Sequence, residues 1–516
     1  MSPKLYKSLS TSVSALLVAL LLSACHPRQP DDLLTISGPF EAVSLAPSKS
    51  GYVYTRMQIL ETLINANDAG KLLPGLAQSW DIDDQNRRWT LHLRPEVTFH
   101  NGTPLTAEAV VHSLKTALNN PGPLLKAGID SIRATDPNTV VIQLQQPYLP
   151  FTAVLAHYST AILAPESYAD NGDVVELYGT GPYQLTEYIP PHKVKVSRFD
   201  DYWSTPANIA QAEYLTGHRS ESRALMVKSG EADIVYNLDP ASVDLLKKSD
   251  QVQIDSTMIP RSILIKVNNA HPFFKDLKTR KALSLAIDRQ SIAANILGAP
   301  GTGASQFFGP TMNQWHLDDL PEPVQDLKQA KTLLTEAGWK PSKDGTLVRN
   351  GQPFQVRMIT YANRPELMLV ATAIQAQWAE LGIQLDVSME NASAIPSGHN
   401  DGSLQLALIA RNFANIPDPL ATIQADFSTA AGGDWGPMNW NNTEAFSLLT
   451  AMKTESNANV LAQQRQQLSR LLAEDLPMIP VSFYVQQSAV ANRVQGFHFD
   501  PFERSFHIAQ MSLINQ

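Results

Sequence analysis

From Leu33 onward, apolar and polar positions switch repeatedly between a period of two and a period near 3.6, the spacings of strands and helices. Trp89-Thr-Leu-His-Leu-Arg94 alternates as a half-buried strand should, and Thr139–Leu144 and Val194–Phe199 repeat the pattern. Arg56 to Leu63, with Met57, Ile59, Leu60 and Leu63, has helix-like spacing. Asn101-Gly102 predicts a tight turn before a helix from Thr106, whose hydroxyl suits an N-cap. Further along, Arg219–Lys228 predicts a helix ended by Gly230, and Leu277–Ile296 a long helix with Arg280, Lys281, Asp288 and Arg289 on its polar face. Helices over 327–336, 367–381 and 458–476 alternate with strands Ile263–Val267, Val356–Thr360, Ile383–Val387, Leu404–Ile409 and Met478–Phe483. Strands recurring among helices of 10–20 residues give an α/β fold with parallel or mixed sheets. Residues 57–177 form a small strand-rich unit, and residues 298–320 a long loop suited to a surface or interlobe position.

The segment before Leu33 adds a targeting signal. Lys4 and Lys7 precede the apolar run Leu16–Leu22, which as a helix reaches roughly 10 Å, far short of a bilayer's ~30 Å core. A cationic start, a short apolar centre and a small-residue end describe a secretion signal over residues 1–24. Leu22-Ser-Ala-Cys25 resembles the lipobox of bacterial lipoproteins, which implies cleavage before Cys25, lipidation there and a polar tether over residues 25–32. Removing residues 1–24 leaves 38 basic against 49 acidic residues, a net charge near −11, and argues against nucleic acid as a partner. Cys25 is the only cysteine, so the chain downstream has no thiol for a disulfide or for cysteine catalysis. About 490 residues exceed one hydrophobic core, so at least two lobes are expected.

Candidate chemistry is sparse. The chain has no G-x-S-x-G elbow and no H-E-x-x-H motif, and His92, His100 and His112 could meet a metal only through folding. Glu108 and His112 stand four apart on the expected helix, as an ordinary local pair would. Gly179-Thr-Gly-Pro-Tyr183 lacks the Lys-Ser/Thr ending of a phosphate loop, and Pro182 removes one amide donor, so it reads as a strand-entry turn. No enzyme activity is expected. Arg411 ends the buried run Leu404–Ala410, where α/β folds place ligand-contacting groups; it could clamp a ligand carboxylate, or form a structural salt bridge, for instance to Asp418. Tyr158, Phe413, Trp435, Trp440, Phe483 and Tyr484 lie in or near irregular regions where a cleft could form, with core packing as the alternative role.

Several motifs, in order and far apart, share one resemblance. Ala77-Gln-Ser-Trp80, Trp89–Arg94, Phe99-His-Asn-Gly-Thr-Pro104 with Thr106-Ala-Glu108, Gly179–Tyr183, Arg280–Arg289, Ala337-Gly-Trp339, Leu381-Gly-Ile383 and Pro417-Asp-Pro419 resemble family 5 extracellular solute-binding proteins over nearly all of residues 34–500. The resemblance implies a two-lobed periplasmic-binding-protein fold (type II, cluster C-like) with an extra subdomain in the first lobe. Lobe I would use 33–56, 178–260 and 485–516, the extra subdomain 57–177, and lobe II 261–484. It also implies a monomeric receptor on the periplasmic side of the envelope, tethered through Cys25, that delivers a solute to an inner-membrane ABC permease and its ATPase subunits without an intrinsic cofactor.

The implied solute is a metal chelate. Arg411-Asn-Phe-Ala-Asn-Ile-Pro-Asp-Pro419 is more similar to the segment of nickel-binding members than to the acid-bearing segment that receives a peptide's amino group in peptide binders. Nickel-binding relatives imply a histidine in the following loop, but residues 426–440 hold none, and Tyr158 stands where a second ligand-binding arginine is expected, with His157 beside it. A prechelated metal, such as nickel-histidine or a nickel-opine metallophore, would bring its own ligands. Arg411, Tyr158, Phe413, Trp435, Trp440 and Tyr484 are the expected contacts, and His157 the one candidate metal ligand. An oligopeptide or dipeptide is the alternative cargo, and an extracytoplasmic enzyme the alternative of a different class.

Overall fold

A computed structural model describes residues 32–83, 85–362 and 364–514. The expected signal segment, the Cys25 lipidation site and most of the tether lie outside the described residues.

One ten-stranded mixed sheet runs through the molecule. Its order from one edge is Gln384–Glu390, Gln355–Tyr361, Leu406–Asn412, Val252–Val267, Met478–Ala491, Ile234–Tyr236, Leu33–Gly38, Gln211–Thr216, Lys193–Arg198 and Tyr183–Ile189. The two long central strands are antiparallel, and they pair in two blocks. Val252–Met258 faces Val485–Ala491, Ser262–Lys266 faces Met478–Phe483, and the register shifts between Met258 and Ser262. Such an irregularity bends a strand locally. On one side the sheet carries the parallel pairing of Leu33–Gly38 with Gln211–Thr216; on the other, Gln355–Tyr361 runs parallel to both Gln384–Glu390 and Leu406–Asn412. These parallel strands are covered by helices, as at Glu366–Ala379, whose Val370, Ile374 and Trp378 are buried. Among the described residues, no helix is long and apolar enough to cross a membrane.

A second, four-stranded antiparallel sheet, Ala77–Ile82, Arg88–Leu93, Thr139–Leu144 and Ile129–Asp136, carries its own hydrophobic core. Trp89 anchors it, with its ring edge-on to Phe151 at 4.8 Å and its Nε1 donating to Thr152 Oγ1 at 2.9 Å. Helix Ala107–Leu118 covers this sheet, and Thr106 Oγ1 accepts from Ala109 N–H as the N-cap. The turn Gly179–Tyr183 returns the chain to the large sheet. A Cβ at Gly179 would stand 2.2 Å from Ile59 O and one at Gly181 2.1 Å from Gln58 O, so backbone approach, not phosphate binding, requires these glycines.

Four expectations are corrected. The helix near Arg56 lies earlier, at Pro47–Arg56; Met57, Ile59, Leu60 and Leu63 are buried from an irregular segment that Gln58, at φ 56°, turns out of helical geometry. The expected long helix stops at Leu285, because Asp288 caps a new turn by accepting from Ser291 N–H. Arg280 and Arg289 are buried rather than on a polar face: Arg280 donates to the carbonyls of Phe274, Asp475 and Leu476, and Arg289 to those of Ser284, Ala304 and Pro480. These guanidiniums are solvated inside the fold by main-chain carbonyls in place of water. Finally, the loop over 298–320 is packed inward, with Phe307, Phe308, Met312 and Trp315 buried and the Phe307 carbonyl accepting from Ser262 Oγ at 2.6 Å.

Candidate functional site

A cavity of about 1070 Å³ opens where the two long strands lose register. Its lining includes Phe40, Tyr52, Arg223 and Asn237 from the first half of the chain and Arg261, Tyr361, Arg364, Glu366, Arg411, Trp435 and Tyr484 from the second, and Arg364 Nη1 donates to Asn237 Oδ1 at 2.9 Å between the two groups. A smaller cavity of about 310 Å³, lined by Arg56, Tyr158, Glu503 and His507 among others, shares Tyr52, Asn412 and Asn415 with it. Such a mixture of aromatic walls and a few fixed charges suits an organic ligand that also carries charge.

The strands dictate where the charges fall. Arg261 pairs in register with Asn412, and Ser262 with Arg411, so Arg261 and Arg411 leave neighbouring strands at adjacent positions on opposite faces of the pleat. Arg261 Nη2 meets Glu503 Oε2 at 2.7 Å, and Asn412 Nδ2 donates to the same oxygen at 3.4 Å. Arg56 approaches the other Glu503 oxygen at 3.5 Å and donates from Nε to the Glu503 carbonyl at 2.6 Å. Burial would raise the Glu503 carboxyl, but the guanidiniums of Arg261, Arg56 and Arg364 outweigh it and hold it below the ordinary range. Both Arg261 and Arg364 stack over the Tyr484 ring, at 5.2 and 5.0 Å. The Tyr484 hydroxyl accepts from Arg364 Nη1 at 2.7 Å and donates to Glu366 Oε1 at 2.9 Å. Arg261 Nη1 is buried and has no hydrogen-bond partner among the described residues.

Arg411 is held differently. Its Nε and Nη2 close a two-bond fork on Asp426, at 2.7 and 2.9 Å. The structural partner is therefore Asp426, not Asp418, which pairs with Arg465 at 3.6 Å. On the protein side of this pair lies Lys266, fully buried, its ammonium bonded to Gly436 O and to His399 Nδ1 at 2.8 Å. Burial pushes Lys266 down to about 7, against the pull of Asp426 and Asp434. Arg411 lines the cavity, but only its Nη1 edge lies outside the fork.

The other expected contacts divide. Trp435 and Tyr484 line the large cavity, with Trp435 edge-on to Tyr361 at 5.6 Å, and Tyr158 lines the smaller one, edge-on to Tyr52 at 5.7 Å. Phe413 and Trp440 do not reach either cavity. Phe413 packs against Phe308 at 5.1 Å, and Trp440 against Phe427 and Phe446 while donating to Asp475. Both are driven into the core by the inward-packed loop and the adjoining helices. His157 is also structural: Nδ1 accepts from Ser159 N–H at 3.2 Å, the ring lies against Tyr158, and burial pushes it down to about 4. His92, His100 and His112 do not converge; they face Asp81, Gly181 O and Tyr168 respectively. The large cavity holds one imidazole, His218, whose Nε2 stands 3.4 Å from Glu41 and whose side chain is more than half exposed.

Sequence reasoning missed Arg56, Arg261, Arg364 and Glu503. The rule that singled out Arg411, a charge closing a buried strand, applies equally to Arg364, three residues beyond Gln355–Tyr361. No local signal links Glu503 to Arg56, 447 positions away.

The family model for bacterial extracellular solute-binding proteins, family 5, matches residues 71–434. The dipeptide-binding protein of Escherichia coli K12 is 24% identical over 97% of this chain and 96% of its own length. The nickel-binding protein NikA of Staphylococcus aureus is 24% identical over 96% of this chain and 97% of its own. Among solved structures, NikA from Brucella suis in complex with Fe(III)-EDTA superposes with a TM-score of 0.84 at 21% identity, covering 93% of this chain and all of that one.

Proposed function

The chain belongs to the family 5 bacterial extracellular solute-binding proteins and is a non-catalytic receptor of an ABC importer, and from that premise we propose that its cargo is a carboxylate-bearing metal chelate. Nickel-histidine and nickel-opine metallophores are the class intended. The observation that carries this reading is the pair Arg261 and Arg364 over Tyr484, with one buried Arg261 donor left without a partner among the described residues. A buried unpaired donor costs about 1–3 kcal/mol, which a ligand carboxylate would recover. Among the described residues His218 alone brings an imidazole to the cavity, and it is more than half exposed, so a metal entering with its own nitrogen and oxygen ligands fits better than a bare ion. Two relatives support the choice by what they hold: one is named as nickel-binding, and the solved NikA carries Fe(III)-EDTA.

Tyr361, Trp435 and Tyr484 would cover the organic surface of the chelate, Tyr158 and Tyr52 its far end, and Arg411 would offer its remaining edge. Lobe I is assigned 33–56, 178–260 and 485–516, the extra subdomain 57–177, and lobe II 261–484. The hinge then falls at the register shift between Met258 and Ser262 and at Tyr484. Closure about that hinge would bring the walls together on the solute, and only a ligand that prefers the closed state shifts the population. The lipid tether at Cys25 would hold a monomeric receptor near its permease.

Peptide cargo is the second reading, favoured by the Glu366 carboxylate in the cavity wall, which could receive an amino terminus, and by the dipeptide-binding relative. Calorimetric titration with preformed nickel-histidine and, separately, with a dipeptide set decides between them. Saturable one-to-one heat is expected with the chelate alone; saturation by peptides and silence toward the chelate would reverse the assignment.

A further inference from the structure

Outside the arginine-lined cavity, three side chains from opposite ends of the chain converge. Asp68 sits in the turn after strand Ile64–Ala66, and His498 and His507 bracket the C-terminal segment that carries Glu503. One ligand atom from each lies within 4.8 Å of the others. His498 Nε2 stands 3.5 Å from Asp68 Oδ2, and the two imidazoles are stacked with centroids 4.2 Å apart. His507 Nε2 is shielded from solvent and has no hydrogen-bond partner among the described residues. A buried imidazole nitrogen without a partner is an uncommon expense for a fold, and a metal ion is one way to satisfy it.

We propose that Asp68, His498 and His507 form a divalent transition-metal site that fastens the C-terminal segment to the turn at residues 67–70. Two imidazoles and one carboxylate suit Ni²⁺, Cu²⁺ or Zn²⁺ over Mg²⁺ or Ca²⁺, which prefer all-oxygen shells. Ligand atoms around such ions sit roughly 3–3.5 Å apart, given metal–ligand distances near 2.0–2.2 Å, so the cluster has to close by about 1 Å. The exposed side chains can make that movement: Asp68 and His498 are each about half accessible, at 51% and 48%. The backbone around them is already docked. Arg504 Nη1 donates to Ala66 O at 2.6 Å and to Asn65 Oδ1 at 3.0 Å, while its Nη2 pairs with Asp500 at 3.3 Å. A metal would therefore add a third fastening to a segment whose Glu503 neutralises Arg56 and Arg261 in the cavities.

The test uses the tag-free mature protein and NiCl₂ or CuCl₂ without chelator, so it does not depend on which solute fills the large cavity. One equivalent of metal should bind, raise the melting temperature and, for Cu²⁺, give an electron paramagnetic resonance spectrum with coupling from two nitrogens. Loss of an outer partner of a metal ligand costs about 10–100-fold in affinity, so D68N and H498Q, which each replace a ligand itself by a weakly coordinating neutral amide, should weaken Ni²⁺ at least about tenfold. H507N should do the same, and asparagine tolerates the left-handed backbone there, at φ 57°. D68N and H498Q lie at exposed positions and should keep the apo melting temperature and the binding of the preformed chelate. Absence of stoichiometric Ni²⁺ and Cu²⁺ binding in the wild type, or equal affinity in D68N/H498Q, would overturn the proposal.

Discussion

Arg411 and Arg261 line the same cavity from opposite faces of neighbouring strands, and their counter-ions leave them with different capacities. Arg411 is matched by Asp426 through both arms of its fork, with Lys266 buried behind the carboxylate. Arg261 shares one carboxylate, Glu503, with Arg56, and retains a donor without a partner among the described residues. A guanidinium reaches the cleft from a strand end, as at Arg411, or from the break within a long strand, as at Arg261, but the acids that surround it decide how much of it a ligand can use. The cavity has a neutralised side at Arg411 and a side with surplus positive charge at Arg261 and Arg364.

The sharpest way to break this contrast is to remove the shared acid. Glu503→Gln would leave Arg56 and Arg261 buried without a counter-charge, and breaking a buried pair typically costs about 3–5 kcal/mol. Denaturant unfolding should show that loss even without ligand. At the neutralised side, Arg411→Ala should cost about 2–3 kcal/mol, below that range because Lys266 stays near the buried Asp426 charge left unpaired. Arg411→Ala/Asp426→Asn should recover much of the loss, and a double variant no more stable than the single one would mean that Asp426 is not the group left unpaired.

Arg364→Gln probes the charged side through binding. A hydrogen bond to a charged group contributes about 1.5–3 kcal/mol, so nickel-histidine affinity should fall roughly 10–100-fold. Loss of binding in Arg411→Ala/Asp426→Asn with none in Arg364→Gln would exchange the two sides of the comparison.

The smallest effect concerns acid stability. Burial holds His157 and His100 at about 4, against an ordinary 6.5, so the unfolded chain binds their protons first. Their contribution is intact above pH 6.5 and is lost as pH falls from there toward 4, about 1 kcal/mol per imidazole by pH 5.5. His157→Asn keeps an acceptor for Ser159 N–H and should flatten this decline in melting temperature, whereas an unchanged acid limb would assign it to other groups.

Much of the fold was legible because its signals are local. Alternation at Trp89–Arg94 marked a real strand, Thr106 a real N-cap and Gly230 a real left-handed helix end. The failures share a cause in long-range packing. Arg280 and Arg289 read as surface charges because a helical wheel cannot show carbonyls at Asp475, Leu476 or Pro480. Phe413 and Trp440 read as cleft residues because aromatic composition does not reveal that residues 298–320 fold inward against Phe413, or that Phe427 and Phe446 enclose Trp440. Arg411 was legible as a cavity residue, but its fork was already closed by an aspartate fifteen positions on, a partner set by the return of helix Leu420–Phe427. Arg261 and Glu503 meet only because the C-terminal segment crosses the break in the long strands.

Native mass spectrometry of protein taken from its producing organism, combined with metal analysis, tests the central claim most directly. The charged side at Arg261 and Arg364 predicts one bound species per chain whose mass is a metal plus a carboxylate-bearing chelator, retained in D68N/H498Q and lost in Arg364→Gln. A ladder of peptide masses without stoichiometric metal, unaffected by Arg364→Gln, would contradict it.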